Sequence, residues 1–243
     1  GVTIYNGTAL PGEYRGNSFT CEPAGNLVHR DVLVPNGVTF LAKRAYPTNE
    51  FLASPDNWFR PVNLAVGPDG ALYVCDMYRK TIEHPEYLPE ATRKVTDFES
   101  GKGMGRIYRV VAAAPGESAA VQGKPPGAKK SKPSARTIDF AKASLKQLGN
   151  ELENLNAWQR MTAHRLLLER QDKAAVPLLE QLAKGRNRLP EARVQAMHLL
   201  DALGAMNFAL LERQLEDSEP AVAEHAIQLA EPRLVNSPAL VTR

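Results

Sequence analysis

Six polar residues in one short stretch have side chains that could act together: Arg60, Asp76, Tyr78, Arg79, Glu83 and His84. His84 or Asp76 is the candidate to accept a proton as general base. Arg60 and Arg79 would hold an anionic group through charge-assisted hydrogen bonds. Tyr78 and Glu83 complete the candidate binding set. The same run also reads as a structural network of ion pairs and turns, since such networks gather the same residue types as active sites do.

Other chemistries find less support. Glu83 and His84 form an adjacent pair without further metal ligands at a suitable spacing. His29, His164, His198 and His225 do not complete a cluster along the chain, and the last three fall on different phases of their helices, which reads as surface histidines. Asp56, Asp69 and Asp76 are loop carboxylates for a calcium ion, without EF-hand spacing. Gly101-Lys102-Gly103-Met104-Gly105 leads into a strand and lacks Gly-Lys-Ser/Thr, so it reads as turn glycines and not as a phosphate loop. No Gly-x-Ser-x-Gly elbow is present. The two cysteines, Cys21 and Cys75, form neither C-x-x-C nor C-x-x-C-H. A bridge between them needs an oxidising compartment and Cα atoms within about 7 Å; both read more simply as small buried residues of strands.

The elements that must position the six residues are short strands. Asn26–Val34 and Gly37–Arg44 read as two of them. Leu64–Val66 and Ala71–Cys75 read as a hairpin across Gly67-Pro68-Asp69-Gly70, and Arg106–Val111 as a last strand. Asp-Gly tolerates the positive φ that reverses the chain, and alternation places Leu72 and Val74 on one side of the sheet, Tyr73 and Cys75 on the other. Short strands separated by Gly and Pro turns predict antiparallel β architecture. The chain opens on Gly1 in what reads as a strand in mid-fold, so a preceding segment is expected.

From about Thr137 the periodicity changes to that of helices. Leu145, Leu148, Leu152 and Leu155 recur at three- and four-residue steps. Arg160–Leu167 aligns with Arg193–Leu200 at an offset of 33, and a weaker copy, Ala223–Ala230, follows after 30. Ala163, Ala196 and Ala226 occupy the same place in each copy and predict close helix approach. Arg160 and Arg193 are equivalent and suit hydrogen bonding between repeats. Partner helices are expected at Ala175–Lys184 and Asn207–Glu216, with Pro177, Pro190 and Pro220 in first turns and Gly185 and Gly204 at helix ends. Such helix pairs must stack to bury their apolar faces.

Charge separates the zones. Residues 1–111 carry 12 basic and 12 acidic side chains, residues 112–136 five and one, and residues 137–243 13 and 14. The basic excess lies in the Pro- and Lys-rich stretch 112–136, which reads as a disordered linker. A basic folded face is therefore missing, which argues against nucleic-acid binding. No run of about 18 apolar residues exists to span a membrane.

Three stretches carry a resemblance: Tyr14–Pro23 with Asn26–His29; Trp58–Val62 with Gly67–Arg79; and Ile82–Pro85 with Gly105–Val110. They resemble the PVC-type membrane-bound dehydrogenases, also called haem-binding CxxCH proteins, over residues 1–111. Over residues 137–243 the likeness is one of architecture only. The resemblance implies a multidomain chain, β then α. Residues 1–111 would be about two C-terminal blades of a β-propeller similar to glucose/sorbosone dehydrogenases, and residues 137–243 HEAT-like repeats. It implies an exported protein of the periplasm or cell envelope that oxidises a sugar-like substrate, quinone- or haem-linked, with electrons leaving through a cytochrome c domain not present in this stretch. Haem c, and a quinone or calcium, would belong to the full-length protein; none is expected in this stretch, which lacks the haem attachment motif. A cytochrome or other protein partner would dock on the helical repeats. The alternative is a non-catalytic scaffold that binds a protein or glycan, since fold does not fix function.

Overall fold

A computed structural model describes residues 1–113 and 138–236. The chain divides into two compact units, Gly1–Ala135 and Arg136–Arg243. Antiparallel sheets form the first and helices the second, in the expected order. The linker expected at 112–136 lies, from residue 114 onward, outside the described residues. No helix among the described residues is long and apolar enough to cross a membrane.

In the first unit β1 (Val2–Ile4), β2 (Ser18–Glu22), β3 (Leu27–Asn36) and β4 (Thr39–Arg44) form an antiparallel meander, with β5 (Leu52–Ala53) also paired to β3. A second sheet joins β6 (Pro61–Val66), β7 (Leu72–Asp76) and β8 (Arg106–Val110) in sequential order. The predicted hairpin closes with Val66 opposite Leu72. Gly70 there has φ +77°, and a Cβ on it would meet Thr8 Oγ1 at 2.3 Å, so both backbone and space require glycine. Its carbonyl accepts the Tyr5 hydroxyl at 2.7 Å, and that hydroxyl in turn accepts the amides of Ala9 and Leu10. Tyr5 so pins the loop after β1 to the turn of the other sheet. The core between the sheets is Tyr5, Phe19, Cys21, Val28, Leu64, Leu72 and Val74, with Phe19 edge-on to Tyr5 and Phe51. Cys21 and Cys75 are free thiols, Cys21 buried in this core and Cys75 half-buried on the opposite face of β7. Between β7 and β8 the chain runs through a 3-10 turn, Pro85–Tyr87, and a short exposed helix, α1 (Glu90–Val95).

In the second unit the helices are α2 (Leu145–Glu151), α3 (Ala157–Arg170), α4 (Val176–Lys184), α5 (Pro190–Ala202), α6 (Phe208–Leu215) and α7 (Pro220–Ala230). The aligned copies are α3, α5 and α7, and α5 packs against both of the others and against α4. Ala163, Ala196 and Ala226 are each fully buried where these helices meet their neighbours. One expectation is corrected. The helical period does not reach Leu155: α2 ends at Glu151, Leu148 and Leu152 are buried, and Leu155 is exposed because the chain turns to let the Asn156 side chain cap α3. Gly185 and Gly204 stand at helix ends as expected, Gly185 capping α4 in extended conformation, φ −79°, and Gly204 following α5 in the left-handed one, φ +64°, as Gln171, φ +49°, does after α3. A capping box, Ser144 with Gln147, starts α2.

Arg193 and Arg160 are both buried. Arg193 donates to Asp217 Oδ2 at 2.5 Å, and the other carboxylate oxygen of Asp217 accepts the Glu219 amide, so Arg193 holds the turn between α6 and α7. Arg160 donates to the carbonyls of Asn154 and Leu155 before its own helix and lies 3.9 Å from Glu191 at the start of α5.

Candidate functional site

The six candidate residues begin at the end of β7. Alternation carries the buried face of that strand through Leu72 and Val74 to Asp76, which is 3% exposed. Asp76 Oδ1 accepts the amide of Arg60 at 2.8 Å and that of Tyr78 at 2.9 Å. It thereby joins the entry of β6 to the exit of β7, beside an irregularity in register between Pro61 and Asn63. Asp76 Oδ2 is buried without a hydrogen-bond partner among the described residues. Tyr78 takes the left-handed conformation, φ +51°, rare for an aromatic residue. Its ring lies under the Arg106 guanidinium at 4.0 Å, and its hydroxyl donates to Asp56, which pushes the phenol up from its ordinary value.

Both arginines of the candidate clamp donate to backbone, Arg60 through all three of its nitrogens and Arg79 through Nη1. Arg60 donates through Nε to the Arg79 carbonyl, through Nη1 to that of Pro23 and through Nη2 to that of Lys80, at 2.8–3.1 Å. Arg79 Nη1 donates to the carbonyls of Gly101 at 2.5 Å and Tyr78 at 3.3 Å. Three separate segments, the β2–β3 turn, residues 78–80 and the glycine turn, are so gathered around one strand end. Gly101, φ +91°, comes so close to Tyr78 that a Cβ would stand 2.3 Å from its carbonyl oxygen.

Glu83 and His84 stand apart. Glu83 accepts the Ile82 amide, and His84 is exposed, its ring tilted against that of Tyr87 and 4.0 Å from Glu86. No hydrogen bond or ion pair links either to Asp76, Arg60 or Arg79 among the described residues. The structure thus brings Arg60, Asp76, Tyr78 and Arg79 into one network and leaves Glu83 and His84 outside it. The three carboxylates do not converge: Asp56 accepts from the Trp58 amide and the Tyr78 hydroxyl, Asp69 from Arg109 and Tyr73, and Asp76 from the amides of Arg60 and Tyr78. No group of three His, Cys, Asp or Glu suited to a metal occurs among the described residues. Next to the network, Asp97 accepts the Ser100 hydroxyl and the amides of Ser100 and Glu99, which hold its carboxyl down to about 2 and close the turn before Gly101.

Sequence reading missed three polar clusters. Arg30, buried, donates to Asn17 Oδ1, the Tyr46 hydroxyl and the Glu13 carbonyl, and lies 3.9 Å over the Tyr14 ring. Strand alternation from Val28 was the available signal. His29 bridges Glu50 at 2.7 Å and Asp31 at 3.0 Å; the Glu50 hydrogen bond raises its pKa above 6.5, against the pull of burial. The repeat-zone histidines, expected on the surface, are half-buried, and His198 Nε2 lies 3.0 Å from His225 Nδ1.

Residues 1–114 match a family model described as a domain of unknown function, DUF7133. No curated protein and no solved structure shows significant similarity to the chain.

Proposed function

We propose that this chain serves as a binding scaffold: its sheet unit as blades of a larger β-propeller, its helical unit as HEAT-like repeats, with a protein or glycan as partner. The observation that carries this reading is the use of both candidate clamp arginines. Five donations to main-chain carbonyls occupy Arg60 and Arg79, which suits a staple for a blade end better than an anion site. The blade reading is supported by the sequential antiparallel order of both sheets. It is supported too by the exposed apolar residues on the outermost strands and their turn, Val38, Phe40 and Leu41 at one side and Ile107 at the other. Bare apolar edges invite pairing or cover.

One observation favours a second reading, in which the full-length protein is an exported dehydrogenase that oxidises a sugar-like substrate with a quinone or haem c. Asp76 Oδ2 is a buried acceptor without a partner among the described residues, beside a left-handed tyrosine. Such a group could accept a substrate hydroxyl, and strained backbone gathers at functional sites.

Urea denaturation and ligand titration of Arg60→Gln and Arg79→Gln separate the two. For a staple, Arg60→Gln lowers the stability of the sheet unit by about 2–3 kcal/mol, since it removes hydrogen bonds from a charged donor. The parent chain then shows no saturable binding of a quinone or a simple sugar. Variants that keep the parent's urea midpoint but lose a saturable binding that the parent shows would overturn the scaffold reading in favour of the second.

A further inference from the structure

Three histidines sit on three consecutive copies of the repeat: His164 on α3, His198 on α5 and His225 on α7. They occupy different places in the sequence alignment, yet packing brings them into sequence with one another. The rings of His198 and His225 meet edge to face, 5.1 Å between centroids, with Nε2 of the first 3.0 Å from Nδ1 of the second. One of these nitrogens donates and the other accepts. His164 lies within electrostatic reach of His198, and its Nδ1 is buried without a hydrogen-bond partner among the described residues.

Few opposite charges are at hand among the described residues. Asp201 on α5 acts on His198, but it is already paired with Arg233 of the 3-10 turn after α7. Glu191 and Glu219 border the cleft that His225 lines. On the neighbouring helices, Glu180 of α4 is paired with Lys184, Glu169 of α3 with Arg165, and Arg213 of α6 donates to the Lys184 carbonyl. Burial and the neighbouring histidine hold His164 and His198 below 6.5.

We infer that the packing of α7 on α5 is an acid-sensitive seam, closed by the row His164, His198 and His225 and opened when the row is protonated. The first proton can be shared across the His198–His225 contact. A second leaves two N–H donors facing each other at hydrogen-bond distance, with no acceptor between them, and His164⁺ adds a third charge to the row. The sign follows from the depressed values: the contribution of His164 and His198 is fully present above pH 6.5 and is lost as pH falls below it.

The test combines histidine NMR titration of the full chain between pH 8 and pH 5 with amide hydrogen exchange, corrected for intrinsic rates. His164 and His198 are expected to titrate below 6.5. Protection of α7 amides is expected to fall, by up to about tenfold per pH unit for each proton taken up, while α2 amides stay protected. In His225→Gln the His198 midpoint should move up towards 6.5 and the pH dependence of α7 protection should flatten. A His198 that titrates at its ordinary value, or an α7 slope equal to that of α2 in the parent chain, would overturn the seam. The parent-chain comparison decides the matter even if the variant does not fold.

Discussion

A carboxylate on the core face of a strand is costly unless its oxygens are used, and Asp76 uses one of two. Asp76→Ala leaves the amides of Arg60 and Tyr78 without an acceptor and should cost about 2–4 kcal/mol. Asp76→Asn keeps an acceptor at Oδ1 and should cost clearly less. Urea midpoints compare the two; equal losses would mean that the charge, not the acceptor, matters. The place of Asp76 was legible, because two-residue alternation runs from Leu72 through Val74 to it. What its neighbours do was not. Arg60 and Arg79 carry the charge expected of an anion clamp, but their carbonyl partners are main-chain groups at 23, 79, 80 and 101, and main-chain groups have no signature in residue type. Tyr5 was overlooked for the same reason, since its hydroxyl serves a carbonyl and two amides.

At the scale of the element, the helices were legible from their leucines and the repeat from its alanines, but periodicity does not say where a face stops. Leu148 and Leu155 share a spacing, yet Leu148 is buried in the core and Leu155 is 55% exposed. Leu148→Ala should therefore destabilise the helical unit by about 2–5 kcal/mol, and Leu155→Ala should change it by no more than about 0.5 kcal/mol. Thermal melts followed by far-ultraviolet circular dichroism at 222 nm would compare them. The boundary was signalled by Asn156, whose side chain accepts the Trp158 amide and starts α3. The histidine row escaped notice because side chains at unequal repeat positions can meet across helices of different phase, which an alignment of one helix on another does not represent.

For the molecule as a whole, histidines give the two units opposite responses to acid. His29 in the sheet unit has a raised pKa, so its contribution is complete below 6.5 and is lost as pH rises through the raised value. His164 and His198 in the helical unit have lowered values and fail in the other direction. Between pH 8 and pH 5 the sheet unit should gain stability relative to the helical unit. His29→Gln should remove the gain from the first without touching the second, as hydrogen exchange of β3 and α7 would report. A parallel slope in both units would refute this division.

The cysteines offer a way to watch one unit alone. Both belong to the sheet unit, and residues 136–243 contain none. Cys21 is buried in the core between the sheets, where burial also raises its thiol above the ordinary range, whereas Cys75 is half-buried on the other face of β7. A thiol reagent should therefore consume Cys75 quickly and wait for Cys21 until the sheets part. The lag between the two modifications is a built-in clock for the opening of this unit, and it runs silently past anything the helices do.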